Sequence, residues 1–269
     1  MRGIVVCGVA VALVAAAGSA LAAPPASAES SRPGSGWGGL YAGLSLGARV
    51  ADVGWDTTAV AAGFGVGGGT VPDPATRGAS LDRAAFRAGL FAGYNWQFAA
   101  QWVGGFEIDA GRGPAKRTIA GLPGAEGPVI GFTASPGDAV SVKQKWDSSL
   151  RGRLGYLVTP SMLLYGTAGV SFLRVDANAA CAATLPSWCT IPNVRNDTQS
   201  ATRTGWTLGA GLEGMIWGNW LARLEYRYAD YGTAQKTFFA NTPDVFSADI
   251  GVRTHTVLIG LAYRWGALY

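Results

Sequence analysis

The chain has 269 residues, of which 49% are hydrophobic and 14% are charged, and its formal net charge is +4. This charge content is low for a soluble protein, yet past the N-terminus no run of about 18 apolar residues occurs to form a membrane-spanning helix. The small net charge, with no basic stripe or recognisable module, argues against nucleic-acid binding. Its 40 glycines, 10 Trp, 9 Tyr and 10 Phe instead indicate short turns and strands with aromatic side chains for a membrane interface.

The N-terminus has the pattern of a secretory signal peptide. Arg2 supplies a positive start, residues 4–17 an apolar core, and either Ala20-Leu21-Ala22 or Ala26-Ser27-Ala28 a small-residue cleavage site. The apolar core is short for an uncleaved membrane anchor. We therefore predict a signal peptide over 1–22, with cleavage at 28 as the alternative. A periplasmic segment over 23–38 and an outer-membrane β-barrel domain over 39–269 would follow.

Eight segments alternate between apolar and polar residues with a period of two, which predicts β-strands. They cover 39–48, 85–96, 101–110, 146–157, 161–174, 204–216, 220–231 and 253–265. Alternation is clearest in the sixth strand, where Trp206, Leu208 and Leu212 face one way and Thr207 and Glu213 the other. Each segment is long enough to cross a bilayer as a tilted strand.

The connections favour a membrane barrel over a soluble sandwich. Very short ones at 97–100, 158–160 and 217–219 alternate strictly with long ones at 49–84, 111–145, 175–203 and 232–252. This arrangement, with an even number of strands, is typical of outer-membrane barrels. We predict an all-β fold, a closed antiparallel eight-stranded up-and-down transmembrane β-barrel with short periplasmic turns and four long extracellular loops.

Several blocks in this order also carry a family resemblance. They are Phe91-Ala-Gly-Tyr-Asn-Trp-Gln97, Arg151-Gly-Arg-Leu-Gly-Tyr156, Leu164-Tyr-Gly-Thr-Ala-Gly-Val170, Gly205-Trp-Thr-Leu-Gly-Ala-Gly-Leu-Glu213 and Asn219-Trp-Leu-Ala-Arg-Leu-Glu-Tyr-Arg-Tyr228. The chain resembles the small outer-membrane immunogenic proteins of alphaproteobacteria. The resemblance implies an OmpA-type eight-stranded barrel in a Gram-negative outer membrane, exposed loops and a structural, porin-like or antigenic role. It brings no catalytic residue.

The end of the chain resembles the assembly signal of such barrels, which the barrel assembly machinery recognises by a terminal aromatic residue. The predicted signal residues are Gly260, Tyr263, Trp265 and Tyr269. Because Gly266-Ala-Leu-Tyr269 follows Trp265, either Trp265 or Tyr269 can end the signal.

Alternation directs a mixed set of charges towards the predicted lumen. These residues are Arg87, Glu107, Asp109, Arg151, Arg153, Glu213, Arg223, Glu225, Arg227 and Arg264. The interior of an eight-stranded barrel is just wide enough to be filled by side chains. We therefore favour an ion-pair network over an aqueous channel, and expect the double change Glu213→Ala with Arg223→Ala to raise conductance.

The turn at Trp217-Gly218-Asn219 fixes a register. We predict a three-residue loop in which Ile216 is opposite Trp220. Glu213 then faces Arg223, Gly211 faces Glu225 and Gly209 faces Arg227, where the glycines leave space for the long side chains.

The remaining motifs favour structural roles. Cys181 and Cys189 are predicted to form a disulfide within one extracellular loop, with metal binding as the weaker alternative. The pattern Gly209-Ala-Gly-Leu-Glu-Gly214 fits a dinucleotide fingerprint, but no helix follows it, so we predict no cofactor. His255, the only histidine, is predicted to face lipid with Val257 and Ile259.

These features predict a non-enzymatic outer-membrane protein that supports envelope integrity and displays antigenic loops. A narrow porin for small solutes is the alternative, and a lipid-modifying barrel enzyme that depends on His255 is a weaker one. The predicted partners are outer-membrane lipids, the barrel assembly machinery during biogenesis and unidentified extracellular ligands of the loops. No metal, cofactor or nucleic acid is predicted.

Overall fold

A computed structural model describes residues 36–61, 77–124, 138–181 and 195–266. In these residues the strands are β1 Gly39–Ala61, β2 Gly78–Ser80, β3 Arg83–Gln97, β4 Trp102–Ala120, β5 Ala139–Thr159, β6 Met162–Cys181, β7 Arg195–Trp217, β8 Trp220–Phe238 and β9 Val245–Arg264. No helix in this part of the chain is long and apolar enough to cross a membrane.

The eight long strands form a closed antiparallel ring. Each pairs with the next in chain order, and β9 returns to pair with β1 from Tyr41↔Arg264 to Ala61↔Val245. The short strand β2 pairs with β1 just beyond the point where β3 leaves it, and so continues that seam. Ring closure gives the strand backbones hydrogen-bond partners without leaving an edge. The predicted all-β fold and eight-stranded ring are confirmed.

The strands extend well past their predicted ends on the side opposite the short turns, which we call the loop end. The predicted connections 49–84, 111–145, 175–203 and 232–252 are therefore too long. The fourth is wrong as a long loop, because β8 and β9 continue until only residues 239–244 join them. The error has a physical cause. Beyond the predicted ends of the strands the inward residues are apolar and the outward residues are polar, which is the reverse of the alternation used for the prediction.

The short-turn end has connections at 98–101, 160–161 and 218–219. In the last of these, the predicted opposition of Ile216 and Trp220 is wrong: Trp217 pairs with Trp220, and the register shifts between Met215 and Trp217. This bulge absorbs one residue, so the turn needs only two, and Gly218 adopts a φ of 53° there. Beyond the bulge, the predicted pairs Glu213↔Arg223, Gly211↔Glu225 and Gly209↔Arg227 are confirmed.

The outer wall carries an apolar band edged by aromatic residues. Its middle includes the exposed Leu44, Leu90, Ile108, Leu150, Leu208, Leu224 and Ile259. Exposed Trp96, Trp102, Trp217, Trp220 and Trp265 lie at the short-turn edge, and Phe86, Trp146 and Trp206 towards the loop end. Such a band with aromatic girdles on both sides matches the hydrocarbon core and interfaces of a bilayer.

Candidate functional site in the barrel lumen

Charged side chains from six strands fill the middle of the lumen, and we call them the ionic layer. Its members are Arg49, Arg87, Glu107, Asp109, Asp147, Arg151, Arg153, Glu213, Arg223, Glu225 and Arg227, all of them buried. β1, β3, β4, β5, β7 and β8 supply them, because alternation turns every second residue of each strand inward. Six arginines therefore face five carboxylates in a space closed to water.

The ionic layer is a continuous series of alternating charges. From the loop end, Arg49 contacts Asp147 at 2.6 Å, Asp147 contacts Arg87 at 2.6 Å, and Arg87 contacts Asp109 at 2.6 Å. Arg227 then bridges Asp109 and Glu225, with both distances 2.9 Å. Arg151 joins Glu225, at 2.6 Å, to Glu107. Each carboxylate therefore has at least one cation, as burial of a charge requires.

Glu107 is the most heavily engaged carboxylate of the layer. It accepts hydrogen bonds from Arg151, from Arg223 at 2.5 and 3.2 Å, and from the Tyr41 hydroxyl at 2.9 Å. Glu213 is engaged less. Its ion pair is with Arg153 at 3.4 Å, although Arg223 is its cross-strand neighbour. Its Oε1 has no hydrogen-bond partner among the described residues.

Aromatic rings hold two of the arginines in place. The Arg153 guanidinium lies 4.2 Å from the centroid of the Tyr165 ring, and that of Arg223 lies 3.4 Å from the centroid of Phe91. The Tyr165 hydroxyl donates to Glu225 at 2.9 Å. Cation–π contacts of this kind strengthen when they are removed from water. The layer is thus filled by a fixed network and not by loose charged side chains.

An apolar layer closes the lumen at the short-turn end. It consists of Trp37, Tyr41, Phe91, Val103, Leu157, Leu163, Tyr165, Leu221 and Ala262. Trp37 precedes β1, is 1% exposed, and donates from its ring nitrogen to the Pro160 carbonyl at 3.1 Å. The indole of Trp37 therefore covers this end of the lumen from a segment outside the strands.

A larger apolar layer, the loop-end core, fills the lumen above the ionic layer. It includes Val53, Trp55, Val60, Leu81, Leu122, Val140, Val142, Leu173, Val175, Tyr231, Phe238, Phe246, Ile250 and Val252. The Trp55 ring stacks on Phe238 at 5.7 Å between centroids, and Phe238 stacks on Phe246 at 4.8 Å. The lumen therefore consists of an ionic layer between two apolar layers.

The structure places nine of the ten predicted lumen charges in the ionic layer and one apart from it. Arg264 is also buried, but it donates to the Gly36 carbonyl at the short-turn end. Sequence reasoning missed Arg49 and Asp147. Arg49 lies one residue past the predicted end of its strand. Asp147 has the same parity as Arg151 and Arg153, so the alternation that selected those residues would have found it.

Gly211 of β7 makes space for a side chain of the other adjoining strand. A Cβ on Gly211 would lie 2.6 Å from Cζ of Tyr165, a residue of β6. Glycine at this position allows the Tyr165 ring to lie against the wall and reach Glu225. Gly211 thus contributes to the aromatic support of the ionic layer.

His255 lies on the outer wall, away from the lumen. Its side chain is 39% exposed, and Val257 and Ile259 on the same face are 49% and 62% exposed, as predicted. Its Nδ1 lies 2.7 Å from the Tyr226 hydroxyl and its Nε2 3.4 Å from an Asp52 carboxylate oxygen. The contacts fix the ring at the loop-end edge of the apolar band.

The other predicted positions are only partly described. Tyr263 and Trp265 lie at the short-turn edge with ring centroids 5.3 Å apart, Gly260 is within β9, and Tyr269 is outside the described residues. Residues 1–35, which hold the predicted signal peptide, are outside them as well. Among the residues that are described, no group of three or more His, Cys, Asp or Glu is placed to hold a metal ion.

Cys181 ends β6, is buried in the loop-end core and is disulfide-bonded, while Cys189 lies outside the described residues. We expect Cys189→Ser to leave membrane insertion intact while changing the binding of loop-directed antibodies, because loops contribute little to a closed barrel. Cys181→Ser is the matched variant and should behave in the same way. Thiol titration of protein isolated without reductant checks the pairing, and two free thiols would contradict it.

Comparison with known proteins gives a consistent group. Residues 11–264 match the family described as outer membrane protein beta-barrel domain. The 31 kDa outer-membrane immunogenic protein of Brucella melitensis biotype 1 is 34% identical over 194 residues, which cover 69% of this chain and 70% of the relative. The 25 kDa outer-membrane immunogenic protein of Brucella abortus biovar 1 is 31% identical over 229 residues, covering 85% and 79%.

Solved structures with a similar fold are more distant in sequence. Ail, the attachment invasion locus protein of Yersinia pestis, is 15% identical with a TM-score of 0.37, covering 85% of this chain and 99% of that one. Neisserial surface protein A is 11% identical with a TM-score of 0.37, covering 82% and 97%.

Proposed function

Because this chain belongs to the outer-membrane β-barrel family of immunogenic proteins, we propose that it is a structural barrel with a closed lumen that displays its loops. The outer membrane is its location. With the short turns on the periplasmic side, as in other barrels of this kind, the loop end faces outward. The barrel then supports envelope integrity and presents antigenic loops, and it carries out no catalysis.

One observation carries this proposal: the ionic layer is packed with paired side chains and lies between two apolar layers. An ion crossing the lumen would have to separate buried pairs such as Arg151 with Glu225 and also pass Trp37 and Trp55. Separating a buried ion pair costs free energy, and the side chains of the apolar layers cannot replace the water molecules that an ion would lose on entering. A porin for small solutes would instead need a continuous wet path.

The proposed partners follow from the same arrangement. Outer-membrane lipids cover the apolar band, and the barrel assembly machinery recognises the C-terminal strand during biogenesis. The loops can present surfaces to extracellular ligands that the chain itself does not identify. We propose no nucleic-acid partner.

Planar-bilayer conductance tests the closed lumen. We expect the refolded protein to show no steady open state. The double variant Arg153→Ala with Glu213→Ala should stay closed too, because it removes a neutral ion pair and leaves both apolar layers in place. This replaces the expectation that Glu213→Ala with Arg223→Ala opens the lumen, since those two residues are not ion-paired. Steady, large conductance of the unmutated barrel would refute the proposal in favour of a porin.

A further inference from the structure

A groove of about 600 Å³ crosses the outer wall of β1, β3, β4 and β5 within the apolar band. Its lining includes the small residues Ala88 and Ala110 and the larger Leu46, Leu90 and Trp146. This volume falls within the range of roughly 300–1,000 Å³ found for ligand pockets. The groove is therefore large enough to seat an apolar chain against the wall.

The loop-end rim of the groove carries a cation. Arg112 is exposed, lines the groove, and lies between its cross-strand partners Ala88 and Trp146. Trp146 belongs to the aromatic edge of the apolar band, so Arg112 lies at the level of lipid headgroups. Within the described part of the chain, no hydrogen bond or ion pair engages the Arg112 guanidinium.

Two further cations lie just beyond Arg112. Lys116 of β4 and Lys143 of β5 are directly opposite each other and exposed. Like charges in this arrangement destabilise a sheet unless an anion lies between them. The adjacent Asp176 is already engaged by Lys145 at 2.6 Å and by Ser200 at 2.7 Å. Partial burial opposes ionisation of Asp176, but these hydrogen bonds outweigh it and lower its pKa.

The opposite side of the barrel, at the same level, is built differently. There Arg253 pairs with Asp230 at 3.1 Å, and Asp52 and Asp249 line the same surface. Cations on that side are matched by carboxylates of the chain itself. The side above the groove instead combines an apolar seat with cations that lack such partners among the described residues.

We propose that this face binds one phosphorylated glycolipid of the outer leaflet. An acyl chain occupies the groove, a phosphate accepts hydrogen bonds from the Arg112 guanidinium, and Lys116 and Lys143 attract further negative charge of the headgroup. The planar guanidinium suits a phosphate because it can donate two parallel hydrogen bonds. The inference depends on the outer-membrane location and is independent of whether the lumen conducts.

Native mass spectrometry of the barrel released from phosphatidylcholine nanodiscs doped with lipid A tests the site. We expect one retained lipid A per barrel and weak retention of dephosphorylated lipid A. Arg112→Gln should lower retention about tenfold, since it removes a charge-assisted contact. Lys116→Gln with Lys143→Gln should lower it about threefold, as expected for exposed charges.

Two further variants separate the groove from general charge. Ala88→Leu should reduce retention of lipid A by filling part of the groove, in a barrel that still shows heat-modifiable migration. Arg253→Gln, a matched change on the opposite side, should leave retention unchanged.

Equal retention of the phosphorylated and dephosphorylated lipids would overturn the proposal, and so would an equal loss in Arg253→Gln. Displacement of lipid A by inorganic phosphate would show a site for anions alone and would overturn it as well. Occupation of the groove by a second copy of the chain instead of the lipid would also overturn the proposal. Each of these outcomes leaves the conductance test of the closed lumen unaffected.

Discussion

The Glu107→Gln variant should lose about 3–5 kcal/mol of unfolding free energy, because the change removes one negative charge from a buried network and leaves Glu225 as the remaining carboxylate partner of both Arg151 and Arg223. Arg151 and Arg223 both donate to this carboxylate, and so does Tyr41. Glutamine keeps the volume of the side chain, so the loss reports charge and hydrogen bonding and not a cavity. Equilibrium unfolding in urea, of barrels folded into lipid vesicles, measures it.

Glu213→Gln is the matched control, since it removes the same charge from the same layer. Its loss should be clearly smaller. Arg153 would keep its hydrogen bond to Tyr41 at 3.0 Å and its position over the Tyr165 ring. The Glu213 contact is also longer, at 3.4 Å, than the hydrogen bonds that Glu107 accepts from Arg223 and Tyr41. Equal losses in the two variants would mean that the engagement of each carboxylate does not determine its contribution.

The sequence alone predicted the ring of strands and the inward direction of its charges. Both depend on the alternation of apolar and polar residues with a period of two, which the sequence shows directly. The same rule also predicted which residues of β7 and β8 lie opposite each other. It could not predict which charges pair. Glu213 and Arg223 are neighbours on adjacent strands, yet each reaches across the lumen, to Arg153 and Glu107 respectively.

The loop-end core was missed for a physical reason that the sequence does contain. Within the bilayer a strand presents apolar residues outward, but beyond it the outward face meets water and the pattern inverts. In β6, the inward Leu173 and Val175 are buried and apolar, while the outward Arg174 and Asp176 are charged. A search for one phase of alternation therefore ends each strand at the membrane surface, where the strand itself continues.

Trp37 illustrates what pattern alone cannot show. It stands before the first strand, with no periodic neighbour that would indicate its direction. Its buried position is held by hydrogen bonds to Gln97 and Pro160, two residues that are distant from it in sequence. Only the closed ring brings those residues to the same end of the lumen.

The Trp55→Ala variant should lose about 3–5 kcal/mol, the usual cost of removing a buried aromatic side chain, with the damage confined to the loop end. Trp55 is 1% exposed and contacts Phe238 and Phe246 in the loop-end core. Outside the bilayer the packing of this core keeps the long strands together, whereas the membrane-embedded ring retains its ionic layer. Limited proteolysis of vesicle-inserted barrels should therefore release loop-end fragments and leave a protected membrane-embedded remainder.

Trp206→Ala is the control, because Trp206 lies on the outer wall and is 49% exposed. It should cost much less and leave the loop end resistant to protease. If the loops are displayed on a rigid support, as proposed, Trp55→Ala should also weaken the binding of conformation-dependent loop antibodies, while the amount of inserted barrel stays unchanged. Unaltered protease resistance in Trp55→Ala would mean that the extended strands hold the loop end together through backbone pairing alone and that its apolar core is not required.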